Sequence, residues 1–192
     1  MALRLAFELV VVFVGVYAAF AVSEHQARRE ADQRRTQIRA ALMEEIHEVV
    51  LNTRRVSQSM PGVLAAYDSA IAAGARPPLE PMLEPVRIQT HIWDATLQSN
   101  AIDLLDVPTV VRLSAFYNEL NLGFEQLNQL RHLSEQLLLP NLGAGADEFY
   151  DPTTGRVRPQ YAWYFAGLRR LGELTTAITA RGEALMEELE GV

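Results

Sequence analysis

Cysteine is absent from the 192 residues, and lysine is absent too: all 17 basic side chains are arginine. The first absence excludes a disulfide framework and a thiolate metal site in either redox compartment. The second does not make a polyanion-binding surface. With 24 acidic residues and a formal net charge of −7, no block of arginine stands free of acids. All-arginine usage therefore reads as a base-composition bias, and nucleic acid is not an expected partner. The chain also lacks a G-x-S-x-G elbow and a serine set between glycines, and its one glycine-rich stretch, residues 141–145, neither has the Walker pattern nor follows a strand. Nucleophilic catalysis and phosphate binding have no residues to work with, so a non-enzymatic protein without a cofactor is expected.

What the chain does have is an N-terminal apolar run. Residues 3–22, LRLAFELVVVFVGVYAAFAV, carry charge only at Arg4 and Glu8. A helix of that length rises about 30 Å, the thickness of a bilayer's hydrocarbon core, and predicts a transmembrane anchor over residues 1–22. Glu8 lies one turn after Arg4 in the first turns of the helix, where it can be neutralised locally or meet a buried polar group of a partner subunit. Gly15 and Ala19, with Ala18 on nearly the same face, form a small-xxx-small pair that lets two spanning helices approach. A cleaved signal peptide is the rival reading, since Ala19-Phe20-Ala21 has the form of a cleavage site. Against it, the n-region holds one arginine and the apolar run continues to Val22 without a breaker.

Residues 23–37, SEHQARREADQRRTQ, contain no large apolar side chain and no glycine or proline. Glu24 with Arg28 and Glu30 with Arg34 have the spacing of helical ion pairs, so a solvated stalk should continue the anchor. From Ile38 an apolar stripe sets in at Leu42, Ile46, Val49, Thr53, Val56 and Met60, a core-facing helix interrupted at Pro61-Gly62 by a kink or a new segment. Residues 74–85, with four prolines, must be a connection. Helix is expected again over 86–98, breaks at Ser99-Asn100, and restarts behind Asp106 as N-cap with Pro108 in the first turn. The pattern Val110, Leu113, Tyr117, Leu120, Phe124, Leu127, Leu130, Leu137 carries that helix to Pro140. Residues 141–159 are irregular, with a small hairpin around Asp151-Pro-Thr-Thr-Gly155, and a last helix runs from Pro159 to Glu190. The expected fold is all-α: a transmembrane helix, a stalk, and an antiparallel helical bundle over 38–192.

Three groups of residues invite a chemical reading. Glu44 and His47 have the E-x-x-H spacing of di-iron bundles, but His91 and His132 lack a carboxylate three residues before them, so a solvated face is expected and no metal. Asp147, Glu148 and Asp151 match no calcium loop and read as a solvated turn. Trp93, Asp94, Thr96, Ser99 and Asn100 cluster at a helix break, and two readings stay open: Trp93 packs in the core, or the five form a polar notch that a partner or ligand enters.

Two stretches resemble a known group. The anchor sequence from Glu8 to Val16, followed by Ala18 or Ala19 and a polar stalk, is similar to that of an uncharacterised family of bacterial single-pass membrane proteins. The patch from Trp93 to Leu105 is similar to that family's second recurring segment, a Trp followed by Ser-Gly; here Asn100 stands where glycine is usual. The resemblance covers about the first 35 residues and this patch, and it implies a fold, not an activity. It also implies a periplasmic body, whereas Arg28, Arg29, Arg34 and Arg35 after the span favour the cytoplasm by the positive-inside rule. A type II anchor needs only an N-terminus that stays inside, so the periplasmic side of a bacterial inner membrane is favoured here and the cytoplasmic side left open. The expected function is that of an accessory or scaffold subunit contacting membrane lipid and other membrane-protein subunits, or a second copy of itself. The alternative is a membrane-anchored sensor that takes a small ligand between helices.

Overall fold

The computed structural model describes residues 2–83 and 90–190, with the backbone alone for 2–12. The fold is all-α. Helix α1 spans Ala2–Ala72, α2 His91–Gln98, α3 Val107–Leu133 and α4 Trp163–Glu190. α1 is unbroken over its 71 residues, about 105 Å at the usual rise. From residue 13 to residue 30 every side chain is exposed, and burial begins at Ile38 and becomes complete at Leu42. Along the stalk Arg28 meets Glu24, while Arg35 meets Asp32 at 3.8 Å. Among the described residues no helix is long and apolar enough to cross a membrane. The first part of the expected span, with Glu8, lies outside the described side chains.

α4 is the helix on which α1 and α3 pack. Along α1, Arg54 pairs with Glu183 and Asp68 with Arg169; along α3, Arg112 pairs with Glu188 and Glu119 with Arg181. In both series the partner on α4 moves back as the first residue moves forward, so α4 returns along both neighbours. Close approach needs small residues at the crossings. A Cβ on Gly182 would collide with Val50 of α1 and reach Phe116 of α3 at 3.1 Å, and one on Gly167 would collide with Leu130. Around these contacts lie two apolar clusters. The stalk-side one holds Leu42, Ile46, Val49, Leu113, Phe116 and Leu185, and the far one holds Met60, Leu79, Leu138, Phe149, Tyr161 and Leu168.

No new segment starts at Pro61-Gly62: α1 runs through both. Proline in a helix interior removes one hydrogen bond and costs about 3 kcal/mol. Here Val56, Met60, Leu64, Tyr67 and Ile71 lie on either side of it and all pack in the far cluster, which offsets that cost. Helix α2 begins at His91, and residues 84–89, where its start was expected, lie outside the described residues. Asp106 caps α3 as expected, accepting from the Thr109 N–H at 3.0 Å and from the Thr109 hydroxyl at 2.8 Å. Those bonds hold its carboxyl below the usual carboxylate range. α3 ends at Leu133, short of Pro140, and relaxes through a π-helical turn, Ser134–Leu138, and a 3₁₀ segment, Leu139–Ala144. The expected hairpin is reduced to one antiparallel bridge between Tyr150 and Val157 about the Asp151 turn. Before α4, Pro159–Tyr161 form a 3₁₀ turn.

The proline-rich connection is held by tyrosines. Tyr150 donates to the Pro77 carbonyl at 2.7 Å, Tyr67 to Pro78 at 3.0 Å and Tyr164 to Glu80 at 3.0 Å. Proline offers no N–H but keeps its carbonyl, so hydroxyls from surrounding elements are the complementary partner.

Two outcomes follow. Gly182→Ala should lower stability by about 1–3 kcal/mol through overpacking. Gly62→Ala, with nothing within 4 Å of its Cβ, should raise it by about 0.5–1 kcal/mol. Denaturant melts of the detergent-solubilised chain decide, and equal shifts for both would contradict the packing described. Burial also pushes the Tyr150 phenol up to about 12 and raises Tyr164. An unfolded tyrosine ionises near pH 10, so the unfolded state sheds protons there that the folded state keeps. Stability should hold below about pH 10 and fall as pH rises towards 12. Tyrosinate absorbance that grows in step with loss of helical circular dichroism would show it; full ionisation with the fold intact would refute it.

Candidate functional site

The residues of the expected notch part company. Trp93 and Thr96 point into the bundle and are buried, 7% and 4% exposed, whereas Asp94, Ser99 and Asn100 lie on the surface. Their local bonds stay within α2 and its ends: Thr96 donates to Ile92 at 2.7 Å, Ser99 to Ala95 at 2.6 Å and Thr90 to Asp94 at 3.3 Å. The Trp93 ring stacks on Tyr117 of α3, 4.9 Å between centroids and 3° from parallel.

What positions Trp93 is Glu45 of α1. Its carboxylate is 8% exposed and accepts from the Ile92 N–H at 2.7 Å, the Trp93 N–H at 3.3 Å and the Tyr117 hydroxyl at 2.6 Å. Leaving a carboxylate buried without partners costs several kcal/mol. Here the first-turn amides of α2, which have no acceptor inside their own helix, supply two donors and a partial positive charge. One side chain thus ties α1, α2 and α3 together. Burial and the hydrogen bond to Glu45 push the Tyr117 phenol far up, so it stays a donor at any pH the fold survives.

Beyond Gln98 the chain turns sharply. Asn100 sits in the left-handed region at φ 55°, the only described residue besides glycine to do so. The 3₁₀ turn Ala101–Leu104 then closes on the base of the stalk: Arg35 donates to the Leu104 carbonyl at 2.7 Å, and Arg39 pairs with Asp106 at 3.5 Å. Between stalk and turn lies a polar recess of about 390 Å³, lined by Arg34, Gln37, Ile38, Ser99, Asn100 and Asp103. So two of the five notch residues do border a recess, but its other wall comes from the stalk, which the sequence placed far from them.

A second opening lies further along the same faces of α1 and α3, past the end of α2. It is a groove of about 380 Å³, floored by Leu171, Thr175 and Ile178 of α4 and walled by Val56, Leu120 and Phe124 among others. Gly123 makes room for it beside Ile178.

Glu44, His47 and Glu48 are exposed, and the buried member of that run is Glu45. His132 shares a hydrogen bond with Gln136 at 2.9 Å. Asp147 pairs with Arg76 and Glu148 with Arg158, while Asp151 accepts the Thr153 and Thr154 amides of its own turn. Among the described residues no three His, Asp or Glu side chains converge. Gly15 has nothing within 4 Å, and Ala18 and Ala19 are exposed in the single chain. Glu45 was the residue that sequence reasoning passed over. A signal was there: Leu42, Glu45 and Val49 fall at helical spacing, which sets an acid between two core positions.

Glu45→Ala strands the Tyr117 hydroxyl and two amides, and should cost about 2–4 kcal/mol. Amide exchange at Ile92 and Trp93 should rise well above that at Leu113 and Phe116. Uniformly raised exchange, or none, would contradict a local role in holding α2. Comparison with protein families, with characterised sequences and with solved structures finds no match to this chain.

Proposed function

We propose that this chain is a membrane-anchored accessory or scaffold subunit, an antiparallel helical bundle carried on a rigid stalk, which acts through protein–protein contacts in a membrane assembly. One observation carries the reading. Helix α1 leaves its Phe13, Val14, Val16, Tyr17, Phe20 and Val22 exposed at 51–75%, on every side of the rod, and continues without a break into the buried face of the bundle. A helix apolar all round needs an apolar surrounding, and lipid supplies it in every direction where a single partner helix would cover one stripe. Glu8, Gly15, Ala18 and Ala19 then provide the pairing surface within the bilayer, and the exposed polar stalk sets the body at a fixed height, on the periplasmic side if the anchor is of type II. The recess at the stalk base, with Arg34, Ser99, Asn100 and Asp103, offers a partner both charges and both kinds of hydrogen-bonding group close to the membrane.

The chain should stay with the membrane pellet after alkaline carbonate extraction and bring a stoichiometric partner, or a second copy, through mild detergent. Gly15→Leu should shift the sedimenting species to smaller size. An unchanged sedimentation profile would remove the helix-pairing surface, and release by carbonate would remove the anchor. A second reading, a sensor that takes a small ligand between helices, is favoured by one feature, the apolar groove between α1 and α3.

A further inference from the structure

We infer that the groove between α1 and α3 binds an amphipathic carboxylate, an alkyl chain with an anionic head, with Arg55 receiving the head group. This rests on the sensor reading, and it concerns the chemistry of the ligand. The volume, about 380 Å³, falls in the range of small-molecule sites, roughly 300–1,000 Å³. Its inner surface asks for hydrocarbon. Val56, Leu120, Phe124, Leu127, Leu171 and Ile178 are apolar, and the two buried hydroxyls there have already committed their single protons: Thr53 donates to the Val49 carbonyl at 2.9 Å and Thr175 to Leu171 at 2.9 Å. A carboxylate placed among them would lose its water without gaining a donor.

The rim is different. Asn52 and Arg55 are exposed there, one turn apart on α1. The neighbouring Arg54 is paired with Glu183, whereas Arg55 meets no acid at ion-pair distance among the described residues. A guanidinium beside an apolar cleft presents two donors in a plane, which fits a carboxylate, and the Asn52 amide adds a further donor. Charge and hydropathy are thus arranged in the order of an amphipathic anion, tail inside and head at the mouth. A neutral or cationic amphiphile matches the tail alone.

The absence of cysteine supplies the experiment. A single Ser59→Cys carrying an environment-sensitive fluorophore, on the exposed face of α1 one turn beyond Arg55 and outside the proposed contacts, reports occupancy at the rim in the full chain held in nanodiscs. Decanoate, decanol and decylammonium are titrated in turn. Decanoate should give a saturable spectral shift at the lowest concentration. Arg55→Gln should weaken decanoate about tenfold or more, the loss of a charge-assisted contact, and bring it level with decanol. Arg54→Gln should leave it unchanged, and Leu127→Trp, which fills the cleft, should abolish it. A saturable shift of equal affinity for all three amphiphiles overturns the head-group assignment. No saturable shift, or one that survives Leu127→Trp, overturns the site. Neither result touches carbonate extraction or sedimentation, so the ligand and the anchor stand or fall separately.

Discussion

A carboxylate inside an apolar core demands donors, and the Glu45 side chain gets them from two other helices at once. The first turn of α2 supplies Ile92 and Trp93 amides, and α3 supplies the Tyr117 hydroxyl. The arrangement is reciprocal. An eight-residue helix is too short to persist alone, and its unpaired N-terminal amides are satisfied only where that carboxylate waits. The Trp93 ring, carried in with α2, covers Tyr117 and shields the node from water. Remove the acid and α2 loses its reason to be where it is, and with it the turn at Asn100 that grips the stalk through Arg35 and Arg39.

The remaining packing is governed by α4. Its glycines let α1 and α3 come close on either side, and hydrocarbon clusters form at both ends. Where α2 covers the seam between α1 and α3 the core is continuous. Past its N-terminus the same two faces border a groove. The chemistry of that groove follows from which residues lie next in phase: Asn52 and Val56 after Glu45 and Val49, and Leu120, Phe124 and Leu127 after Tyr117.

α1 is one continuous helix from residue 13, where its exposed apolar side chains begin, to the far cluster. The grip of Arg35 and Arg39 adds a second attachment at the stalk base. Recess, node and groove lie in succession along this one helix.

Much of this was written locally in the chain. The helices at Val110–Leu130 and Tyr164–Leu189, the Asp106 cap, the stalk and the break at Asn100 follow from periodicity, capping and backbone preference, which act over a few residues. What only tertiary structure decided is everything that depends on a neighbour remote in sequence. Pro61 disfavours helix by its own chemistry, yet α1 continues through it with Met60 and Leu64 packed in the far cluster. Trp93 and Thr96 were indistinguishable in pattern from Ser99 and Asn100, yet two are core and two border the recess, because Tyr117 and Arg34 arrive from other helices. Glu45 read as one more solvated acid beside Glu44, since whether a carboxylate is a surface charge or a buried keystone is set by the donors brought to it, and those lie 47, 48 and 72 residues away.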